Sequence, residues 1–288
     1  MTIDFHSHNF PDALAPRAVE VMCGKLAEAV RRAGISYGPF GDGTIATQLR
    51  DMDRAGVDVC VNCPVATRPK DFDAILRRAL DVKSGGAGAE AAARVVQLAS
   101  IHPTDPDYIA RIKLLKQHGI PGIKLHPNYQ GVRLDDPALV PFFIALRDAG
   151  LFVISHCGFD PGFLDAPSVA GPEQIATLLS AVPGLKFVAG HIGGECGSPP
   201  HATDVLLPFD TCWIDLALLP IHGDDSEARR IVREWPVDRM VFGTDYFWRD
   251  QAPLLAWVRE LRTDPSDREK IFHLNAERLL AGGGVVAR

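Results

Sequence analysis

Asp4-Phe5-His6-Ser7-His8 closes the first apolar run of the chain, and its reading decides the fold. In a strand, side chains alternate between faces, so His6 and His8 share one face with Cα atoms about 6–7 Å apart. Two imidazoles at that separation can bind one metal ion. A doubly wound sheet built to hold a dinucleotide carries a Gly-x-Gly-x-x-Gly turn at this place. His-x-His stands there instead, which favours a barrel with its chemistry at the strand ends.

The rest of the chain alternates element types to match. Apolar runs predict strands over residues 2–6, 57–63, 95–101, 120–126, 151–156, 185–191, 211–217 and 240–244. Helical spacing predicts helices over 13–33, 44–55, 74–82, 107–118, 137–149, 172–181, 226–235 and 252–261, with a short one near 202–207. A closing helix over 267–281 ends the pattern. Gly34 and Gly56 stand where helix-terminating glycines are expected. Ser84-Gly85-Gly86-Ala87-Gly88 reads as a flexible joint, because the alternation resumes after it. Eight strands interleaved with helices predict an α/β fold, a single (β/α)8 TIM barrel with a C-terminal closing helix, occupying residues 1–288 as one domain.

Composition narrows the function classes. At 288 residues and 47% hydrophobic, the chain can bury a full barrel core. The net charge of −6 is spread without a basic stripe or a basic amphipathic helix, so neither nucleic acid nor a membrane surface is an expected partner. Asp4, His6 and His8 interrupt the N-terminus, which therefore does not read as a secretory signal. The cysteines Cys23, Cys60, Cys63, Cys157, Cys196 and Cys212 are scattered and read as reduced thiols of a cytoplasmic protein. Cys60 and Cys63 have zinc-ribbon spacing without a second pair and read as packing residues. The expected partner is a small-molecule substrate, and a homo-oligomer is compatible with the sequence.

In a barrel, the residues at the C-terminal ends of the strands form the active site. Those ends carry His6 and His8, Lys124 and His126, His156, His191, and Asp245. Parity agrees: inward His156 takes Ile154 with it and leaves Val153 outside, while inward Asp245 takes Gly243 and Val241 and leaves Phe242 and Met240 outside. Lys124 and His126 likewise share a face, opposite Ile123 and Leu125. Five histidines, a lysine and an aspartate at five strand ends are hard to explain as packing and point to a metal site. His118, His201, His222 and His273 fall in helices or loops and read as structural, and His102 reads as part of a turn.

These segments carry a resemblance. Asp4-x-His6-x-His8, Gly122-Ile123-Lys124-Leu125-His126-Pro127, Ser155-His156-Cys157-Gly158, Gly190-His191-Ile192-Gly193-Gly194, Phe242-Gly243-Thr244-Asp245 and Asn275-Ala276-Glu277-Arg278-Leu279-Leu280 are similar to the amidohydrolase superfamily. The branch they most resemble is the amidohydrolase-related TIM-barrel group that includes aminocarboxymuconate-semialdehyde-decarboxylase-like enzymes. The resemblance implies that His6, His8, His156 and Asp245 surround a divalent metal, usually zinc and sometimes manganese. It implies that His191 is a second ligand or polarises the substrate, and that Asp245 accepts the proton of a metal-bound water. Lys124 would either bridge two ions as a carboxylated lysine or hold a substrate carboxylate, and one ion is favoured over two.

A dication among neutral imidazoles can bring a bound water's pKa from about 15.7 towards about 7. The leading expectation is thus a metal-dependent hydrolase of a small amide, lactone or ester. The alternative is a non-oxidative decarboxylase of an aromatic or enoic acid on the same scaffold, and a third reading is a metal-holding protein without turnover. His126, Tyr129, Arg133, Trp248 and Arg249 lie in or beside the loops that would meet the substrate, where arginine forks could clamp a carboxylate.

Overall fold

Each apolar run forms a strand: β1 (Ile3–Ser7), β2 (Val59–Asn62), β3 (Val95–Gln97), β4 (Gly122–Leu125), β5 (Phe152–Ser155), β6 (Phe187–Ala189), β7 (Cys212–Asp215) and β8 (Met240–Val241). The computed structural model describes residues 1–33, 38–163, 165–195, 198–217 and 225–281, so Gly34, Cys196 and His222 lie outside the described residues. All neighbouring strands are parallel, in the orders β1-β2-β3 and β4-β5-β6-β7-β8. Two seams join these groups. Lys124 N–H donates to the Ala99 carbonyl (2.9 Å), and Phe5 N–H donates to the Phe242 carbonyl (2.8 Å), which closes the cylinder. The protein is a (β/α)8 barrel.

Alternation along the strands divides the core into two shells. Ile3, Phe5, Val61, Phe152, Ile154, Val188, Trp213 and Val241 fill the interior, and Ala276, Leu279 and Leu280 of the last helix (Asn275–Leu280) pack with them. Ile123, Leu125, Val153, Phe187, Ile214, Met240 and Phe242 instead pack against the surrounding helices. A Cβ on Gly122 would stand 2.7 Å from the Phe152 ring and from its carbonyl oxygen. The missing side chain is what lets Phe152 fill the cylinder there.

Simple alternation fails on β1. Asp4 pairs with Cys60 but Ser7 with Asn62, so three steps on β1 match two on β2, a β-bulge. The extra residue lets His6 join Phe5 on the inside. Ser7 then turns outward, bonding the Val61 carbonyl (2.9 Å) and Gln48 (3.0 Å) of the helix Ile45–Ala55. That helix starts where the Thr44 hydroxyl caps Thr47 N–H and stops at Gly56, whose φ of 73° suits glycine.

Two segments depart from the sequence pattern. The joint after residue 83 is followed by a short helix, Ala89–Arg94. The closing helix is interrupted by a π-turn at Lys270–Leu274, where the Asn275 amide reaches the Val237 (2.7 Å) and Met240 (2.8 Å) carbonyls and ties the helix to β8. Among the described residues no helix is long and apolar enough to cross a membrane, and Cys23, Cys60, Cys63, Cys157 and Cys212 are free thiols.

Candidate metal centre

His6 is the hub of the mouth. Its Nδ1 lies 2.7 Å from Asp215 Oδ2; a carboxylate only accepts, so Nδ1 carries the proton and Nε2 presents its lone pair to the pocket. Lys124 Nζ lies 2.5 Å from that Nε2, and Asp245 Oδ1 lies 3.6 Å from it. His8 Nε2 is 2.9 Å from the same Asp245 oxygen. His6, His8 and Asp245 each offer a ligand atom within 4.8 Å of the others.

Local backbone geometry aims these groups. Asp245 follows β8 in a left-handed conformation (φ 61°), and its N–H donates to the His6 carbonyl (2.8 Å). His191 stands just beyond β6, where His191, Ile192 and Gly193 are all left-handed (φ 55°, 53° and 69°). The turn is held by Asp215 Oδ1, which accepts from His191 N–H (2.8 Å) and Ala217 N–H (3.1 Å). Gly243 faces this cluster; a Cβ there would come within 3.0 Å of the His6 Cβ.

A second group lies alongside. His156 does not fall within the His6, His8 and Asp245 set; its ligand atom groups with those of His126 and Asp160. The rings form a row, with His6 and His191 centroids 5.2 Å apart, His191 and His156 4.5 Å, and His156 and His126 4.1 Å and stacked at 7°. Tyr129 meets His126 edge-on at 4.5 Å, and Phe163 meets Tyr129 at 4.9 Å.

Burial sets the protonation states. It pushes His6 down to about 4, with the Lys124 cation adding to the effect, and it pushes His126, His156 and His191 below the ordinary imidazole range. Burial alone would raise Asp245 and Asp215, but the facing imidazoles, His6 foremost, hold both below the usual carboxylate range. Burial pushes Asp160 up to about 6. At neutral pH His6, His126, His156 and His191 are therefore neutral and Asp245 is ionised, the forms in which such groups bind metal.

Those residues fit a divalent cation. Nitrogen and oxygen donors converge, Asp215 fixes the tautomer of His6, and His191 Nδ1 and His156 Nε2 are buried without a hydrogen-bond partner. An ion and the Lys124 amine cannot both take the His6 Nε2 lone pair, so Lys124 must turn aside where an ion binds. Asp215 and Asp160 were missed in the sequence. Asp215 could have been found, since it ends β7 as the other candidates end theirs.

The remaining candidates are placed as follows. Arg133 engages Asp135 through two bonds (3.1 and 2.9 Å) and the Ser168 carbonyl (3.1 Å), and so braces its loop. Trp248 follows Asp245 and stacks on Phe247 (4.7 Å), with Arg249 next to it. His102 bonds the Gln130 carbonyl and Thr104, as a turn residue does. His201 and His273 face Asp204 (3.3 Å) and Glu277 (3.1 Å), away from the cluster.

A parallel eight-stranded barrel with imidazoles and a carboxylate gathered at its C-terminal mouth defines a class, the metal-dependent TIM-barrel enzymes. The family model described as Amidohydrolase matches residues 3–282, and the chain belongs to that family of enzymes. No curated protein matches the sequence. Among solved structures, the chain is similar to an uncharacterized TIM-barrel protein of Bordetella bronchiseptica (20% identity, 99% of each chain, TM-score 0.73). It is also similar to the 2,6-dihydroxybenzoate decarboxylase of Rhizobium (18% identity, 97% of this chain and 98% of that one, TM-score 0.66). A third is the 5-carboxyvanillate decarboxylase of Novosphingobium aromaticivorans, solved with bound manganese (15% identity, 98% and 97%, TM-score 0.62).

Proposed function

We propose that this enzyme is a metal-dependent, non-oxidative decarboxylase of a small aromatic or enoic carboxylic acid. This reverses the order of the two sequence expectations, which placed hydrolysis first. The observation that carries the reading is the aromatic cluster beside the metal ligands: the His126 and His156 rings stack at 4.1 Å, Tyr129 meets His126 edge-on at 4.5 Å and Phe163 meets Tyr129 edge-on at 4.9 Å. Aromatic rings at these angles offer both faces and edges to a planar unsaturated acid whose carboxyl end would sit at His6, His8 and Asp245. The presence of decarboxylases among proteins of this fold supports the same choice.

In the reaction the C–C bond to the carboxyl group breaks, CO2 leaves, and the electron pair remaining on carbon takes up a proton. Asp245, ionised at rest and beside His8, would first take that proton from a water molecule and then pass it to the carbon, leaving hydroxide to solvent. His191, with a buried unpartnered Nδ1, meets a substrate oxygen. Lys124, buried beside His6, offsets negative charge on the substrate. An ion held there would supply fixed positive charge against the substrate carboxylate. One ion on His6, His8 and Asp245, with His156 as a further ligand, is the proposed complement; the donors suit zinc and manganese alike, and metal analysis decides between them.

The test is a panel assay on metal-loaded protein, scoring CO2 release from aromatic and enoic acids against acid release from lactones, esters and amides. The proposal expects CO2 from at least one acid. Acid release without any CO2 release would overturn it in favour of hydrolysis.

A further inference from the structure

We propose that Asp160 and His126 form a subsite that holds a hydroxyl group of the substrate at the end of the row of rings beyond His156. It rests on the reading above that the substrate is a small unsaturated acid. Asp160 follows β5 and is 8% exposed. Its Oδ1 accepts from Gly162 N–H (2.7 Å), which fixes the carboxyl group and leaves Oδ2 on the side of His126. Oδ2 is buried without a hydrogen-bond partner, as is Nδ1 of His126. His126 Nε2 stands 3.3 Å from Oδ2, out of hydrogen-bonding alignment. Buried polar atoms are costly to leave unpaired, so one on each of two neighbouring side chains marks a place for a ligand group.

The chemistry of the pair selects that group. An ion needs about 2.1 Å to each imidazole nitrogen, along the plane of each ring. The His126 and His156 planes are parallel and stacked, so one ion cannot lie in both. A carboxylate would face Asp160 as a like charge. A hydroxyl donates one hydrogen bond and accepts others, so it satisfies the carboxylate and the imidazole together. The Tyr129 edge bounds the subsite on the aromatic side, where the carbon skeleton bearing the hydroxyl would run.

The experiment is calorimetric titration of metal-loaded protein with benzoate and with the ortho, meta and para hydroxybenzoates. One hydroxy isomer is expected to bind about tenfold or more tighter than benzoate, the scale of a hydrogen bond to a charged group. Asp160→Ala and His126→Phe, the latter keeping a ring against His156, should each bring that ratio close to one. No isomer preference in the unmodified protein, or a preference that survives both substitutions, overturns the subsite; the first comparison stands even where a variant fails to fold. Loss of a second equivalent of bound metal in Asp160→Ala overturns it in favour of an ion site. Because binding needs no turnover, the two proposals fail separately. A hydroxyl preference without CO2 release sinks only the decarboxylase reading, and CO2 release without a preference sinks only the subsite.

Discussion

Asp215→Asn should damage the metal centre more than Asp215→Ala, although asparagine is the closer match in shape. Asp215 Oδ1 accepts from two backbone N–H groups, His191 at 2.8 Å and Ala217 at 3.1 Å, and Oδ2 takes the His6 Nδ1 proton at 2.7 Å. An asparagine must put its single oxygen where the two N–H groups point. Its NH2 then faces His6 Nδ1 and forces the imidazole proton onto Nε2, the atom that would bind metal. Loss of a hydrogen-bond partner behind a ligating histidine costs about 10–100-fold in metal affinity. The inverted tautomer places Asn at the upper end, about 100-fold or ~2.7 kcal/mol. Alanine leaves His6 free to choose its tautomer and belongs near the lower end. Competition against a metallochromic chelator reads both constants without any substrate. Equal losses, or an Asn variant that binds like the parent protein, would show that Asp215 does not set the His6 tautomer.

Asp245→Asn is expected to abolish turnover on a confirmed substrate while the melting curve shows a folded protein; full rate would remove the carboxylate from its proposed role. In the metal-free protein, His6 with a folded pKa of about 4 stabilises above 6.5, and this contribution, about 3 kcal/mol, is lost as pH falls from 6.5 through 4. Asp4 works in the opposite sense: burial raises it to about 6, so its contribution is present below 3.8 and lost as pH rises through 6. Asp4→Asn should therefore steepen the acid-side loss of stability in urea titrations, and an unchanged pH slope would refute the assignment. Gly122→Ala drives a Cβ to 2.7 Å from the Phe152 carbonyl, and overpacking of this kind costs about 1–3 kcal/mol, read as a lower Tm.

The sequence exposed those features that alternate strictly. On β4, β5 and β8 the polar residue falls on the face opposite Ile123, Val153 and Phe242, and the packing follows that parity. It hid what depends on breaking the alternation. The β1 bulge, which turns Phe5 and His6 inward together, leaves no mark in an apolar count. Asp215 is hidden by the apolar run, which predicts a strand to residue 217 and so makes the carboxylate read as interior to the strand that it in fact ends. Asp160 sits in a loop whose path to His126 depends on tertiary contacts. For the same reason the grouping of His156 with His126 was not visible from the spacing of either residue within its own strand.

The left-handed turn at His191 shows how firmly the fold holds the residues of the mouth. Two non-glycine residues there, His191 and Ile192, occupy a region that costs about 1–2 kcal/mol each. Ile192 is fully buried in the outer core, and truncating such a side chain to alanine costs about 2–5 kcal/mol. Ile192→Gly relieves strain at one position and deletes still more packing than alanine would, so the packing loss wins and net stability falls. Tm should drop by several degrees, at about 2–4 °C per kcal/mol for a chain of this size. A higher Tm would mean that the strain exceeds the burial. In that case the Asp215 bonds to His191 and Ala217 restrain a turn that packing alone would not keep.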